Sequence, residues 1–277
     1  MVVAIKQRYV KMLSARDQQI IALSVFLIFG LLAKRVSVPW WHMASVTATA
    51  IAAQYLGTRY AKLPRFDPKS ATITLLSLIL LLRTTHPAVS VTAAACAILS
   101  KFFLRAHNQH IFNPANFGIA AAILGAQSYR VITGRAAGAW ISPGQWGSGL
   151  LIALLITCLG LIVLRRAKRI NTGIAFMLVY GVLTLSRSFW LGDPLTIPVH
   201  GLTSGSLLIF SFFMISDPKT TPASSHGRWL FAAAVATVAF ILRQRFQIDQ
   251  APIWALALCA PLNLLRRTPG RQFDQKG

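Results

Sequence analysis

Polar side chains crowd one short stretch in the first half of the chain. His110, Asn113 and Asn116 lie within the segment HIFNPANFG, at the start of an apolar run. Asparagine followed by proline is typical of a helix start, which makes Asn113 a candidate N-cap. The unpaired N–H groups of such a start can bind an anion. Buried amides and imidazoles in a membrane often mark a site, so the segment is either an interfacial cap or part of a binding site.

Two further segments end an apolar run with a charge, threonines and proline. The first is LLRTTHP, which contains Arg83, and the second is ISDPKTTP, which contains Asp217 and Thr220. Proline cannot continue the helical hydrogen-bond ladder, so both segments predict interrupted helices. Half-helices that meet near the midplane build ion or ligand sites in inverted-repeat transporters. Two ordinary helix ends are the simpler alternative.

Several kinds of chemistry find no support in the sequence. The three cysteines lie singly in apolar segments, without the spacing of a zinc or iron–sulfur site. The chain has six acidic residues, all of them aspartate, and so few carboxylates give little support to a carboxylate proton relay. No HExxH motif, phosphate-binding loop or nucleophile–base pair is present. A hydrolase is therefore not indicated.

The composition places these residues in a membrane protein. Of the 277 residues 55% are hydrophobic and 12% are charged, whereas soluble domains carry roughly 25% charged residues. The net charge of +22 comes from short basic clusters between apolar segments. That pattern is typical of loops that set topology and contact anionic lipid, and it disfavours a nucleic-acid partner.

Apolar runs between charges predict about ten transmembrane helices. The first run is followed by Ala33, Lys34 and Arg35 without a signal-peptidase site, so we expect an uncleaved first helix. The ten predicted spans are Gln18–Ala33, Val38–Leu56, Ser70–Leu82, Ala88–Phe103, Ile111–Ala126, Gln145–Leu164, Asn171–Leu185, Leu202–Ile215, Trp229–Leu242 and Ala251–Leu265.

Basic residues alternate across these spans and predict the orientation. Twenty lysines and arginines fall on the side of the N-terminus and eight on the other side, which places both termini in the cytoplasm. We expect an N-terminal cytoplasmic segment at 1–19, one transmembrane domain at 20–268 and a cytoplasmic tail at 269–277. Five spans in each half (20–126 and 145–265) imply an inverted repeat, because an odd number of spans reverses the second half.

Four segments resemble one family of membrane proteins. HIFNPANFG, FFMISDPKTTP, SLILLLRTTHP and GQWGSG, at 110–118, 212–222, 77–87 and 144–149, are similar to segments of the D subunit of the Rnf electron-transport complex and the B subunit of the sodium-translocating NADH:quinone oxidoreductase. The resemblance covers roughly 70–265. With its short loops, the chain looks more similar to the short stand-alone relatives, including those encoded beside enediyne biosynthesis genes.

The resemblance implies a fold and a cofactor. It implies an all-α integral membrane protein with ten helices in a 5+5 inverted repeat, similar to urea and ammonium channels. It also implies a flavin and electron transfer, with other redox subunits, in a bacterial cytoplasmic membrane. Covalent FMN in this family is attached to a Ser-Gly-Ala-Thr motif after the fifth span. That motif is missing here, and Thr133 is the single threonine of the loop.

We therefore expect a membrane electron-transfer subunit that binds FMN or riboflavin noncovalently. The side chains predicted to line or support its site are His110, Asn113, Asn116, Asp217, Thr220 and Arg83. The alternative is a channel or transporter for a small solute with the same fold and no redox cofactor.

Overall fold

The computed structural model describes residues 14–32, 37–64, 66–106, 109–142 and 150–265. Within these ranges the chain is mostly helical and contains twelve α-helices, one π-helical turn and four short strands. The predicted segment 144–149, most of the N-terminal segment 1–19 and the tail 269–277 lie outside the described residues.

The first half contains one helix for each of its five predicted spans. The helices are α1 (Ala15–Leu32), α2 (Trp40–Tyr60), α3 (Pro68–Leu81), α4 (Pro87–Phe103) and α5 (Pro114–Thr133). The last three start alike, with proline in the first turn and a preceding side chain that accepts a backbone N–H. Asp67, His86 and Asn113 provide these caps, and Asn113 was the cap predicted from the sequence.

The second half is more interrupted than its apolar runs suggest. It contains α6 (Leu150–Ala167), α7 (Ile170–Leu191), α8 (Thr196–Leu202), α9 (Gly205–Ile209), a π-helical turn (Phe210–Met214), α10 (Ser225–Phe246), α11 (Ala251–Cys259) and α12 (Leu262–Leu265). The eighth predicted span begins at Leu202, the last residue of α8, so the 44° bend between α8 and the segment Gly205–Met214 lies at the start of that span. The tenth is broken between α11 and α12, at Ala260 and Pro261.

Long apolar helices support an integral membrane protein. Among the described residues α1, α7 and α10 are each long and apolar enough to cross a bilayer. A fourth span results if the bent pair formed by α8 and the segment Gly205–Met214 counts as one. The ten-span inverted repeat and the positions of the termini stay predictions.

Short strands provide backbone hydrogen bonds where α3 ends, and the sequence did not predict them. Strand β1 (Leu82–Thr84) pairs antiparallel with β4 (Ala139–Ile141), and the short strands β2 (Arg105–Ala106) and β3 (Gln109–His110) form a hairpin ahead of α5. Every residue of β1 is buried. Because buried backbone groups need partners in a membrane, β4 supplies the hydrogen bonds that the interrupted helix lacks.

The π-helical turn lies in the centre of the protein. Phe213 packs edge-on against Phe26 of α1, with 5.8 Å between the ring centroids. A Cβ added to Gly173 of α7 would lie 2.8 Å from the Ser211 carbonyl oxygen, and one on Gly160 of α6 would lie 2.7 Å from the Phe212 ring. Glycine at both positions therefore allows α6 and α7 to approach this turn closely.

Candidate functional site

Asn113 connects the start of α5 to the break after the π-helical turn. Its Oδ1 accepts the backbone N–H of Asn116 at 3.1 Å, as an N-cap does. Its Nδ2 donates to the Met214 carbonyl oxygen at 3.2 Å and to Asp217 Oδ2 at 3.4 Å. The structure therefore brings together two of the segments that the sequence singled out, one from each half of the chain.

Asn116 makes a second connection between the halves. Its side chain is 1% exposed, and its Nδ2 donates to the Ile253 carbonyl oxygen in α11 at 3.2 Å. Its Oδ1 is buried without a hydrogen-bond partner. A buried amide oxygen in that state costs free energy, so the atom is available to a donor other than those of the described residues.

The loop after the π-helical turn is ordered by its own hydrogen bonds. Asp217 Oδ1 accepts the backbone N–H of Lys219 at 3.0 Å, and the Asp217 carbonyl oxygen accepts the Thr221 hydroxyl at 2.9 Å. Thr220 is buried, and its carbonyl oxygen accepts Asn263 Nδ2 at 2.6 Å. The Thr220 hydroxyl points to the Asp217 carbonyl oxygen, 3.5 Å away, so its described role is to support the loop.

A cavity of about 170 Å³ lies between this loop and the helix starts on the same side of the protein. Its polar lining comprises Arg16, Gln19, Ser70, Thr74, Ser77, His110, Asn113, Asp217 and Lys219. His110 Nδ1 is buried without a partner. Burial, followed by the cations of Lys219, Lys101 and Arg105, lowers the pKa of His110 to about 3. The imidazole is therefore neutral at physiological pH.

Lys101 and Ser70 belong to the same polar cluster, although the sequence did not single them out. Lys101 lies in the last turn of α4 and is only 4% exposed. Its Nζ donates to the Ser70 carbonyl oxygen at 3.0 Å and to Ser70 Oγ at 3.1 Å. The missed signal was a lysine inside the bounds of an apolar run, where a charge needs a partner.

Arg83 lies apart from this cluster, at the other end of α3. Ser70 and Leu81 are 11 residues apart in α3, which corresponds to roughly 17 Å along the helix axis. Arg83 is 8% exposed, and its Nη1 donates to the carbonyl oxygens of Ile79 and Leu82, both at 2.8 Å. The guanidinium thus caps the C-terminal end of α3, where a positive charge is favourable.

A second buried polar cluster surrounds Arg83. His42 Nδ1 lies 2.8 Å from Ser90 Oγ, and Thr84 Oγ1 lies 2.7 Å from the same oxygen. Arg83 Nη2 and His42 Nε2 are buried without partners. In the described part of the chain no carboxylate lies within ion-pair distance of Arg83. The predicted site residues therefore fall into two groups, with Arg83 in one and the other five in the other.

The candidates for covalent or metal chemistry stand outside both clusters. Thr133 is exposed in the last turn of α5, where its hydroxyl donates to the Tyr129 carbonyl oxygen and accepts the Arg135 N–H. Cys96, Cys158 and Cys259 are unpaired thiols. The described residues contain no group of three or more His, Cys, Asp or Glu side chains placed to hold a metal ion.

The size of the cavity decides how a flavin could use it. Pockets for drug-sized ligands measure roughly 300–1,000 Å³, whereas this one measures about 170 Å³. The donors and acceptors suit a small polar group, but the volume does not enclose a three-ring isoalloxazine system. The described cavity therefore does not fit a whole flavin.

Comparisons with known proteins agree with the resemblance in the sequence. A family model described as NQR2, RnfD, RnfE matches residues 128–262, a stretch that contains the Asp217 loop. The D subunit of the ion-translocating oxidoreductase complex of Rhodobacter capsulatus is 32% identical over 134 residues, which is 47% of this chain and 35% of the relative. The proteins of the same name from Shewanella amazonensis and Stutzerimonas stutzeri are 31% identical over 126 residues and 33% identical over 82 residues.

These alignments cover only part of each protein. They span 43% and 28% of this chain for the latter two relatives, and 36% and 23% of the relatives themselves. The longest share of a relative that any of these alignments spans is 36%. The family match runs from the end of α5 to the start of α12, and this part of the chain is similar to the NQR2, RnfD, RnfE family.

Proposed function

We propose that this protein is an electron-transfer subunit of the bacterial cytoplasmic membrane that works with other redox subunits in an ion-translocating complex. Similarity to the family supports this role, because the matched relatives are named as subunits of ion-translocating oxidoreductase complexes. The apolar helices support a position in the membrane. The ten-span inverted repeat belongs to the same proposal and rests on the resemblance and on the distribution of basic residues.

The observation that carries the proposal is the connection between Asn113 and the Asp217 loop. The asparagine–proline segment and the aspartate–proline segment, which carry the resemblance, meet in space through the Asn113 amide. They meet where a π-helical turn ends, and π-helical turns are frequent at functional sites. Burying polar side chains inside a membrane protein costs free energy, and such residues therefore often mark a functional site.

A noncovalently bound FMN or riboflavin is the cofactor we propose. Support comes from the resemblance and from the lack of the threonine motif. His110 Nδ1 and the acceptor Asn116 Oδ1 are buried without partners among the described residues, and such polar atoms suit the polar edge of a flavin. Since the described cavity does not enclose the ring system, we assign these residues to the binding of a polar group only. Bound flavin would supply the redox chemistry.

The direct test is the absorption spectrum of the protein purified in mild detergent. We expect a flavin spectrum, and we expect the flavin to stay in solution when the protein is precipitated by acid. Asp217→Asn should keep the fold and weaken flavin retention by about ten- to a hundredfold, since a hydrogen bond to a charged group contributes roughly 1.5–3 kcal/mol.

The structure also selects the control for this variant. The position of Asp67 in a basic loop suggests Asp67→Asn as a control. This variant is unsuitable, because Asp67 caps α3 and pairs with Arg16 at the cavity. Asp249→Asn is the better control, since its side chain is 79% exposed and pairs with Arg243. Equal flavin retention in the parent and both variants would remove Asp217 from the site.

A small-solute channel or transporter is the second candidate function. The 44° bend between α8 and α9 and the extended residues after α3 both resemble the discontinuous helices of transporters. A colourless purified protein that accelerates solute flux into vesicles would favour this function over electron transfer.

A further inference from the structure

The cavity beside the Asp217 loop is surrounded by an excess of positive charge. Arg16 and Lys219 line it, and Lys101 lies directly behind Ser70. Arg105 is close enough to act electrostatically on both His110 and Lys219. Two carboxylates, Asp67 and Asp217, oppose these four cations. Within the described residues the surroundings of the cavity therefore carry a net positive charge.

The carboxylates are already engaged by other groups. Asp67 receives Arg16 Nη1 at 3.1 Å and caps Ser70 of α3 at 3.2 Å. Asp217 receives the Lys219 N–H and the Asn113 amide. Neither carboxylate lies within 4.0 Å of Lys101 Nζ among the described ion pairs. Among the described residues, Lys101 Nζ is hydrogen-bonded to Ser70 alone. A buried ammonium with so few partners is costly, and an anion in the cavity would offset that cost.

Hydrogen-bond donors converge on the same space. Ser70 Oγ accepts from Lys101 Nζ, so the proton of the hydroxyl is left for a further acceptor. His110 lines the cavity and its Nδ1 is buried without a partner, so the neutral ring donates there in the tautomer that carries its proton on Nδ1. At the start of α5, Pro114 has no N–H and the N–H of Asn116 is capped by Asn113. The N–H of Ala115, which also lines the cavity, adds the favourable field of a 20-residue helix.

The volume matches a small oxyanion. About 170 Å³ equals the space of roughly five or six water molecules, at about 30 Å³ for each. That space is too small for a flavin ring, but it accommodates one tetrahedral group. The Arg16 side chain, 45% exposed, forms part of the wall, so the cavity borders the exposed surface.

We propose that this cavity is a binding site for a phosphate group, held by Ser70, Lys219 and Arg16 with Lys101 behind Ser70. The phosphate can belong to a nucleotide-type cofactor or to a phospholipid headgroup. The identification of a cofactor as its source rests on the proposed function, and it then favours FMN over riboflavin. The phosphate site itself rests on the cavity alone.

Binding of inorganic phosphate to the full chain in detergent, at constant ionic strength, is the first measurement. We expect saturable binding that Lys219→Gln weakens by about tenfold or more, because a charge-assisted hydrogen bond is lost. Ser70→Ala should weaken it as well. Lys62→Gln is the control, since Lys62 is exposed and does not line the cavity. If Ser70→Ala does not fold, the comparison of Lys219→Gln with Lys62→Gln decides.

The two sources of phosphate are separated by competition. Phosphate binding is repeated with FMN, with riboflavin, and in nanodiscs of phosphatidylcholine with or without phosphatidic acid. Displacement by FMN and not by riboflavin identifies a cofactor phosphate, and displacement by phosphatidic acid identifies a lipid. Either result supports the site.

Two outcomes would overturn the inference. One is the absence of saturable phosphate binding, and the other is equal binding by the Lys219→Gln and Lys62→Gln variants. A protein that retains flavin but shows either outcome would refute the phosphate site and leave the proposed function standing. A protein that binds phosphate but contains no flavin would refute the proposed flavin-dependent function and leave the phosphate site standing.

Discussion

Substitution of Asn113 separates two roles that one side chain performs. Its Oδ1 caps α5 and its Nδ2 connects α5 to the Met214 carbonyl oxygen and to Asp217. Asn113→Ser keeps a capping oxygen and removes the connection, because serine caps about as well as asparagine. Asn113→Ala removes both roles. The difference between the two variants therefore measures the cap, and the loss in the serine variant measures the connection.

The expected magnitudes follow from the partners that remain. The Met214 carbonyl oxygen also accepts the backbone N–H of Asp217 at 3.3 Å, so Asn113→Ser does not leave it unsatisfied. The cost is then that of an ordinary hydrogen bond, about 0.5–1.5 kcal/mol of unfolding free energy. Loss of the cap adds about 1 kcal/mol in Asn113→Ala, which brings the total to about 1.5–2.5 kcal/mol.

Reversible unfolding in mixed micelles, followed by tryptophan fluorescence, gives these free energies. Asn171→Ser is a matched control, since Asn171 Nδ2 donates to Ser225 Oγ at an exposed position. Hydrogen bonds there compete with water and contribute little. We expect the order of stability to be parent and Asn171→Ser, then Asn113→Ser, then Asn113→Ala.

The refuting result is specific. If Asn113→Ser is as stable as the parent while Asn113→Ala loses about 1 kcal/mol, Asn113 is only a cap. The connection between the two halves would then contribute nothing, and the argument that this junction forms the site would fail.

Three further predictions concern topology, cofactor linkage and pH. Reporter fusions after Lys69 should read cytoplasmic and fusions after Arg135 external, because of the distribution of basic residues; the opposite reading would refute the orientation. Denatured protein on a gel should show no flavin fluorescence, and a fluorescent band that Thr133→Ala abolishes would establish a covalent link. The lowered pKa of His110, about 3, favours the neutral imidazole in the folded state. The free energy of unfolding therefore does not depend on His110 above about pH 6.5, and it falls progressively as the pH drops from there towards about 3, because the unfolded state binds the proton first. His110→Gln should make thermal unfolding less sensitive to acid than in the parent, and equal sensitivity would contradict the assignment.

Local chemistry in the sequence was sufficient to predict the helix starts and breaks. Asparagine–proline at 113–114 predicts an N-cap because both residues act within one turn, and the structure has that cap. Proline and charge after the third and eighth apolar runs predict helix ends, and helical structure ends at Leu81 and Met214. Helix α8, which precedes the eighth predicted span, was not predicted, because it has 7 residues and contains Pro198 and Gly201.

Contacts between distant segments could not be predicted in the same way. The buried position of Lys101 could not be predicted, because nothing in its neighbourhood shows that Ser70, 31 residues away, receives its ammonium group. Arg83 was assigned to the same site as Asp217, because the sequence does not show that α3 separates them. The contact of Asp67 with Arg16 could not be predicted either, because it spans 51 residues. Pairings of this kind depend on how the helices pack.

The pairing of β1 with β4 has a consequence for biogenesis. Leu82 pairs with Ile141, and the backbone N–H of Ser142 donates to the carbonyl oxygen of Leu81, which ends α3. A ribosome adds about 5–20 residues per second, so the 59 residues from Leu82 to Ile141 require roughly 3–12 s. During that interval the extended residues have no strand partner, and each bare backbone group in lipid costs several kcal/mol. The end of α3 must therefore stay shielded by the insertion machinery or at the membrane surface until β4 has been synthesised.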